Sequence, residues 1–184
     1  VCDEVYRTLM KMRWQPSLQI IPHYESEPLY IQAIVNSINN KLRSINWKPD
    51  LILASYHGIP KKYFDKGDPY HCYCHKTSRL IKESFNKDIP ILTTFQSRFG
   101  PQEWLQPYTD KTLENLPKEG KKNILVISPG FSSDCVETLE EISIQGKESF
   151  LESGGEKFDT IPCLNDNEDH IKLLVHLINK SIRK

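Results

Sequence analysis

The sequence lacks any imbalance of charge. Lysine plus arginine and aspartate plus glutamate both number 24, so the formal net charge is zero. That removes the general electrostatic case for nucleic acid as a partner. No apolar run reaches membrane-spanning length, and Val1-Cys2-Asp3-Glu4 is no signal peptide. No internal repeat or low-complexity segment is present. Cysteine is scarce and odd in number, five residues without framework spacing, which argues against a disulfide scaffold. A reducing compartment fits better, and the expected location is the cytoplasm. No glycine-rich phosphate loop follows any strand candidate, which weighs against a nucleotide-binding domain. The chain has 184 residues, enough for one α/β domain or slightly more. It starts at Val1 rather than Met, within what reads as a helix over 2–12, and is expected to be a piece of a longer protein or a processed one.

What is present is an alternation of apolar runs and helical patterns. A short strand is expected over 18–21 (LQII), followed by a helix capped by Ser26 with Pro28 in its first turn. Ile31, Ile34, Val35, Ile38, Leu42 and Ile45 keep helical spacing there. Leu51–Ser55 (LILAS) is a continuous apolar run of the kind buried between helices. A helix is expected over 72–86, a strand over 89–95, and a helix capped by Thr109 or Asp110. A strand over 123–128 follows, then a long helix ending near 152, a strand over 158–164, and a last helix from Asp166 or Asn167. On that last helix Ile171, Leu174, Val175 and Ile178 fit a core face, while Lys172, Lys180, Arg183 and Lys184 read as a solvated side. Strands near 51, 89, 123 and 158 alternating with helices predict a Rossmann-like α/β domain with a four-stranded parallel sheet and right-handed crossovers. The expected division puts residues 1–46 in the tail of a preceding similar domain with a linking helix. Residues 47–184 then form a carboxyl-terminal domain whose last helix packs back on the first.

In such a sheet, ligands bind at the carboxyl ends of the strands. Two motifs sit there. Ser55-Tyr56-His57-Gly58-Ile59-Pro60 places a histidine just past a buried strand, where it can change protonation near neutral pH. Pro129-Gly130-Phe131-Ser132-Ser133-Asp134 turns into a helix that presents Glu137 and Glu141 on one face. Asp134 followed by Glu137 also fits a helix capping box, a purely structural use of the same residues. Where His57 and Glu137 meet across a crevice, they form a general-base or metal-handling pair. Tyr56, Tyr63, Tyr70, Phe95, Phe99, Trp104, Tyr108 and Phe131 fall mostly in the strand-end loops, the lining a large flat apolar ligand needs. His71-Cys72-Tyr73-Cys74-His75 has C-x-C spacing with no second cysteine pair, so no zinc site is expected. Cys72, Cys74 and Cys163 could contribute to an iron–sulfur cluster, but the sequence does not demand one.

The two strand-end motifs combine with Gly67-Asp68-Pro69-Tyr70, Thr94-Phe95-Gln96-Ser97-Arg98-Phe99-Gly100, Trp104-Leu105 with Pro107-Tyr108-Thr109-Asp110, the run Cys135 to Glu141, and Ile161-Pro162-Cys163-Leu164-Asn165. Together, in order and at matching spacing, they closely resemble ferrochelatases of the bacterial type. The resemblance covers the whole chain but only the carboxyl-terminal part of the family. It implies insertion of ferrous iron into protoporphyrin IX with release of two protons, giving protohaem. It implies that His57 is the active-site histidine, a proton acceptor or metal ligand, with Glu137 the carboxylate opposite. Glu141 would continue an acidic line for metal or protons, and Asp134 would support it. Tyr70, Trp104 and Phe131 match porphyrin-pocket positions. The implied partners are protoporphyrin IX, ferrous iron as substrate and a missing amino-terminal half. Peripheral membrane contact stays open, and an iron–sulfur cluster is not expected. The alternatives are a catalytically incomplete porphyrin- or haem-binding fragment and a chelatase for another tetrapyrrole.

Overall fold

A computed structural model of the chain describes residues 2–182. Its centre is a four-stranded, all-parallel sheet in the order β2-β1-β3-β4, made by β1 (Leu51–His57), β2 (Ile91–Gln96), β3 (Asn123–Ile127) and β4 (Lys157–Ile161). β1 lies between β2 and β3, and Leu51 to Tyr56 are all buried. An uninterrupted apolar strand is what a parallel sheet covered on both faces requires. Helices α1 (Cys2–Leu9), α2 (Pro28–Ser44), α3 (Lys61–Asp65), α4 (Tyr70–Ser84), α5 (Thr109–Asn115), α6 (Lys147–Glu152) and α7 (Glu168–Ile182) accompany the sheet, and a π-helix spans Glu137–Gly146. Among the described residues no helix is long and apolar enough to cross a membrane.

The sheet separates two cores. Ile52, Ala54, Tyr56, Leu125 and Ile127 point to one side, where α2, α4 and α7 supply Ile34, Ile38, Ile81 and Leu173. Leu51, Leu53, Ile124 and Val126 point to the other, against Leu113 of α5, Ile142 of the π-helix and Phe150 of α6. Successive strand residues thus feed opposite faces, as the pleat dictates. Helix α2, grouped by the expected division with residues 1–46, packs in the same core as the strands. Helix α1 buries none of its residues.

Several local expectations are corrected. Residues 18–21 form no strand: Leu18, Ile20 and Ile21 are exposed, and the run pairs with no strand of the sheet. Ser26 does not cap α2; Glu27 holds that place without a side-chain bond, and the Ser26 hydroxyl turns to Glu25. Tyr108 precedes α5, so Asp110 sits in its first turn, where an acid suits the macrodipole. The Asp134–Glu137 capping box does not form, because the Asp134 carboxylate is taken by Cys163 and Asn165. On α7 the buried residues are His170, Leu173 and Leu177, while Ile171, Leu174, Val175 and Ile178 face outward. Asn167 does open that helix, its Oδ1 accepting from the His170 N–H at 2.8 Å. Arg183 and Lys184 lie outside the described residues.

Candidate active site

β1 carries His57 to the carboxyl end of the sheet, beside Gln96 of β2. The next residue is forced. A Cβ on Gly58 would stand 2.9 Å from the Gln96 carbonyl oxygen and 3.3 Å from the Trp104 ring. The chain therefore turns close under β2, with the Gly58 N–H donating to the Gln96 carbonyl at 2.8 Å. His57 Nδ1 lies 2.6 Å from the Gly58 carbonyl oxygen. In the tautomer that donates there, Nε2 is left bare as an acceptor or ligand. The Tyr70 hydroxyl donates to the His57 carbonyl at 2.9 Å, so the histidine is held from both its ring and its backbone.

The second motif enters from β3. Phe131 places its ring centroid 6.2 Å from that of His57. Glu137, the first residue of the π-helix, is held below the usual carboxylate range, first by the Cys135 thiol, then by its own backbone N–H and by the His57 charge. His57 ends β1 and Glu137 follows the neighbouring β3 at the same edge of the sheet, and the His57 charge is the weakest of these influences on the carboxylate. The Cys135 thiol is pushed up by burial and by Glu137.

Glu141 has a different setting. Its carboxylate accepts from the Ser97 N–H at 2.7 Å and from the Ser97 hydroxyl at 2.6 Å. Ser97 adopts a left-handed backbone, φ 62°, which a non-glycine residue tolerates only when its surroundings hold it there. Gln96 is buried. Its amide donates to the Glu137 carbonyl at 2.8 Å, and its Oε1 accepts from the Ser55 hydroxyl at 2.7 Å. The Ser55 hydroxyl lies 2.8 Å from that of Thr109, which lies 2.9 Å from that of Thr94. This polar chain through the sheet end positions the π-helix. Among the described residues no group of three or more His, Cys, Asp or Glu side chains could hold a metal ion, so His57, Glu137 and Glu141 do not converge as one ligand set.

Asp134 is a structural pin. It accepts from Asn165 Nδ2 at 2.8 Å, from the Cys163 N–H at 3.1 Å and from the Thr138 hydroxyl at 3.2 Å. Burial pushes its carboxyl up, but these bonds together more than offset that and leave it below its ordinary value. Tyr56, Tyr70, Tyr73, Gly130 and Phe131 share the lining of a cavity of about 270 Å³. Ile21, Tyr24 and His170 also line it, whereas His57, Glu137 and Trp104 do not. Tyr56 contributes its ring from within the core, its hydroxyl bonded to Ser78. Trp104 stands apart from that lining. Its segment pairs with Pro60, and its indole N–H donates to the Phe99 carbonyl.

Gln96, Ser97 and Asn165 carry roles that the motifs contained but did not disclose. A polar residue ending a buried strand was the available signal for Gln96. On α4, Cys74 is buried beside Tyr70 and its thiol is pushed up to about 12 by burial, whereas Cys72 is exposed. The two cysteines thus sit in different surroundings.

The chain is also similar to known proteins. The family model for ferrochelatase matches residues 1–182. The ferrochelatase of Rhizobium meliloti is 55% identical over 183 residues, covering 99% of this chain and 54% of the relative. That of Allorhizobium ampelinum is 54% identical over 184 residues, covering 100% of this chain and 54% of the relative. That of Brucella anthropi is 51% identical over 184 residues, covering 100% and 53%. The chain spans about half the length of the curated relatives it matches.

Proposed function

The chain belongs to the ferrochelatase family, and on that premise we propose that it supplies the His57 and Glu137 half of a site that inserts ferrous iron into protoporphyrin IX, giving protohaem and two protons. The observation that carries this reading is a backbone-anchored imidazole at the carboxyl edge of a parallel sheet, with the helix that opens on Glu137 following the neighbouring strand.

The chemistry needs two pyrrole N–H protons to leave as one divalent cation enters. His57 Nε2 accepts a proton from a ring nitrogen, and the imidazolium so formed is stabilised by Glu137 across from it. Glu137 then passes the proton toward solvent, its depressed affinity for protons keeping it ionised and ready for the next. Glu141, fixed by Ser97, holds negative charge behind Glu137 and biases both iron approach and proton departure. Phe131, Tyr70 and Tyr56 present an apolar wall to one face of the macrocycle, and Trp104 borders the loop beside His57.

We further propose that the part of a full-length relative that this chain does not span closes the opposite wall and covers the outward apolar row of α7. The test is a chimera in which this chain replaces the matched part of the Rhizobium meliloti enzyme. Anaerobic insertion of ferrous iron into protoporphyrin IX, followed by absorbance, is expected to proceed, and His57→Ala to slow it by roughly 10²–10⁴-fold. Unchanged insertion by His57→Ala removes the assigned role. An inactive chimera that still quenches tryptophan fluorescence with protoporphyrin supports the binding-only alternative.

A further inference from the structure

His71 and His75 lie one turn apart on α4, with ring centroids 4.4 Å from each other. Side chains four apart share a helix face, and histidines at that spacing bind zinc in helical metal motifs. Aromatic rings pack against both histidines. His71 stacks on Phe95 at 5.6 Å and packs on Phe64 at 4.9 Å, and His75 reaches Phe95 at 6.2 Å. Among the described residues the hydrogen bonds made by histidine rings belong to His57 and His170, so this pair's nitrogens have no such protein partner. His75 is exposed and His71 half-buried, and among the described residues no buried side-chain nitrogen or oxygen lacks a partner, so these nitrogens reach solvent. Burial lowers the proton affinity of both imidazoles, and the His71 charge lowers that of His75 further. The neutral imidazole is the form that ligates.

We propose that His71 and His75 form a second divalent-cation site, a two-imidazole chelate for an ion of the zinc, copper or nickel class, with water in the remaining positions. Imidazole suits these ions. Structural zinc takes four closed protein ligands. A two-ligand site instead holds an exchangeable ion. It stands near the His57 edge, since α4 starts at Tyr70, which donates to the His57 carbonyl. It is separate in its ligands from His57 and Glu137, and it needs neither Cys72 nor Cys74.

The test is titration of the chain with nickel(II) alone, without porphyrin. One binding event is expected to weaken about tenfold or more in His71→Gln and in His75→Gln, a loss of at least about 1.4 kcal/mol, and to persist in His57→Gln. Parent-like binding in both α4 variants, or loss of the event in His57→Gln alone, overturns the site. Proton NMR of the unsubstituted chain keeps the test independent of variant folding. Substoichiometric nickel(II) must broaden the His71 and His75 imidazole signals first, and earlier broadening of any other histidine counts against the proposal. Failure of the iron-insertion reading would be seen only with porphyrin present, so the two outcomes are distinguishable.

Discussion

At Gly58 the requirement is space rather than backbone conformation. An added methyl would press on the Gln96 carbonyl at 2.9 Å, and backbone cannot swing aside as a flexible side chain can. Gly58→Ala is expected to cost about 1–3 kcal/mol by overpacking. The same change at Gly130, whose Cβ would find its nearest neighbour at 3.4 Å, should cost clearly less. Urea unfolding of both variants checks the order, and equal losses would refute the close-approach argument. Asp134 gives a pH signature. Its carboxyl is lower in the folded chain than its ordinary value of 3.8, so its stabilisation is complete above that value and is lost as pH falls through the lower folded value. Asp134→Asn should therefore unfold at a lower temperature than the parent near pH 6, with the gap narrowing below about pH 4. A gap independent of pH would show that charge at Asp134 is not what stabilises the turn. These residues also mark what the sequence could disclose. The place of His57 at the end of a buried strand was legible because it follows from local sequence. Asp134 read as a helix cap because its true partners, Cys163 and Asn165, lie on a different segment that only the fold brings near.

The β-strands were legible as elements because an apolar run bounded by turn residues is a strong signal, and the four in the sheet fall within a few residues of their expected places. The run at 18–21 carries the same apolar signal but finds no partner, and strand formation needs one. The π-helix was not legible. Its composition reads as an ordinary amphipathic helix, and an i→i+5 ladder differs by widening each turn rather than by residue type. Tertiary bonds hold it, Gln96 donating to the Glu137 carbonyl and Ser97 gripping Glu141, while within it Ser143 donates to the Thr138 carbonyl. The element thus depends on an amide from another strand. Gln96→Leu removes the donor to Glu137 and leaves the Ser55 hydroxyl without its Gln96 acceptor. The expected loss is about 1–3 kcal/mol in urea unfolding. In the chimera it should slow iron insertion more than it weakens porphyrin quenching, because it moves the carboxylates and not the aromatic wall. Loss of quenching equal to loss of insertion would place Gln96 in general stability instead.

Across the whole molecule, α7 shows a sequence carrying two apolar stripes where one domain needs only one. Leu173 and Leu177 enter the core, while Ile171, Leu174, Val175, Ile178 and Ile182 form a neighbouring row left exposed, Val175 at 51% and Ile182 at 72%. Helical periodicity alone could not choose between the rows, since both keep the spacing of an amphipathic face. The choice was made by packing against α2, with Lys180 and His176 reaching Glu27 from the same helix. A row of large aliphatic side chains left in water favours burial against a partner, and the chain spans only 54% of the length of relatives such as the Rhizobium meliloti enzyme. The two rows therefore separate folding from docking. Leu173→Ala and Leu177→Ala should each cost about 2–5 kcal/mol in the isolated chain, because each empties a packed site. The double change Leu174→Lys and Ile178→Lys should leave that stability within about 0.5 kcal/mol, since both positions already meet solvent. In the chimera the same lysines should lower the melting temperature and insertion together, by burying charge where aliphatic groups belong. A chimera indifferent to the lysines would show that the outer row of α7 faces water in the full-length protein as well.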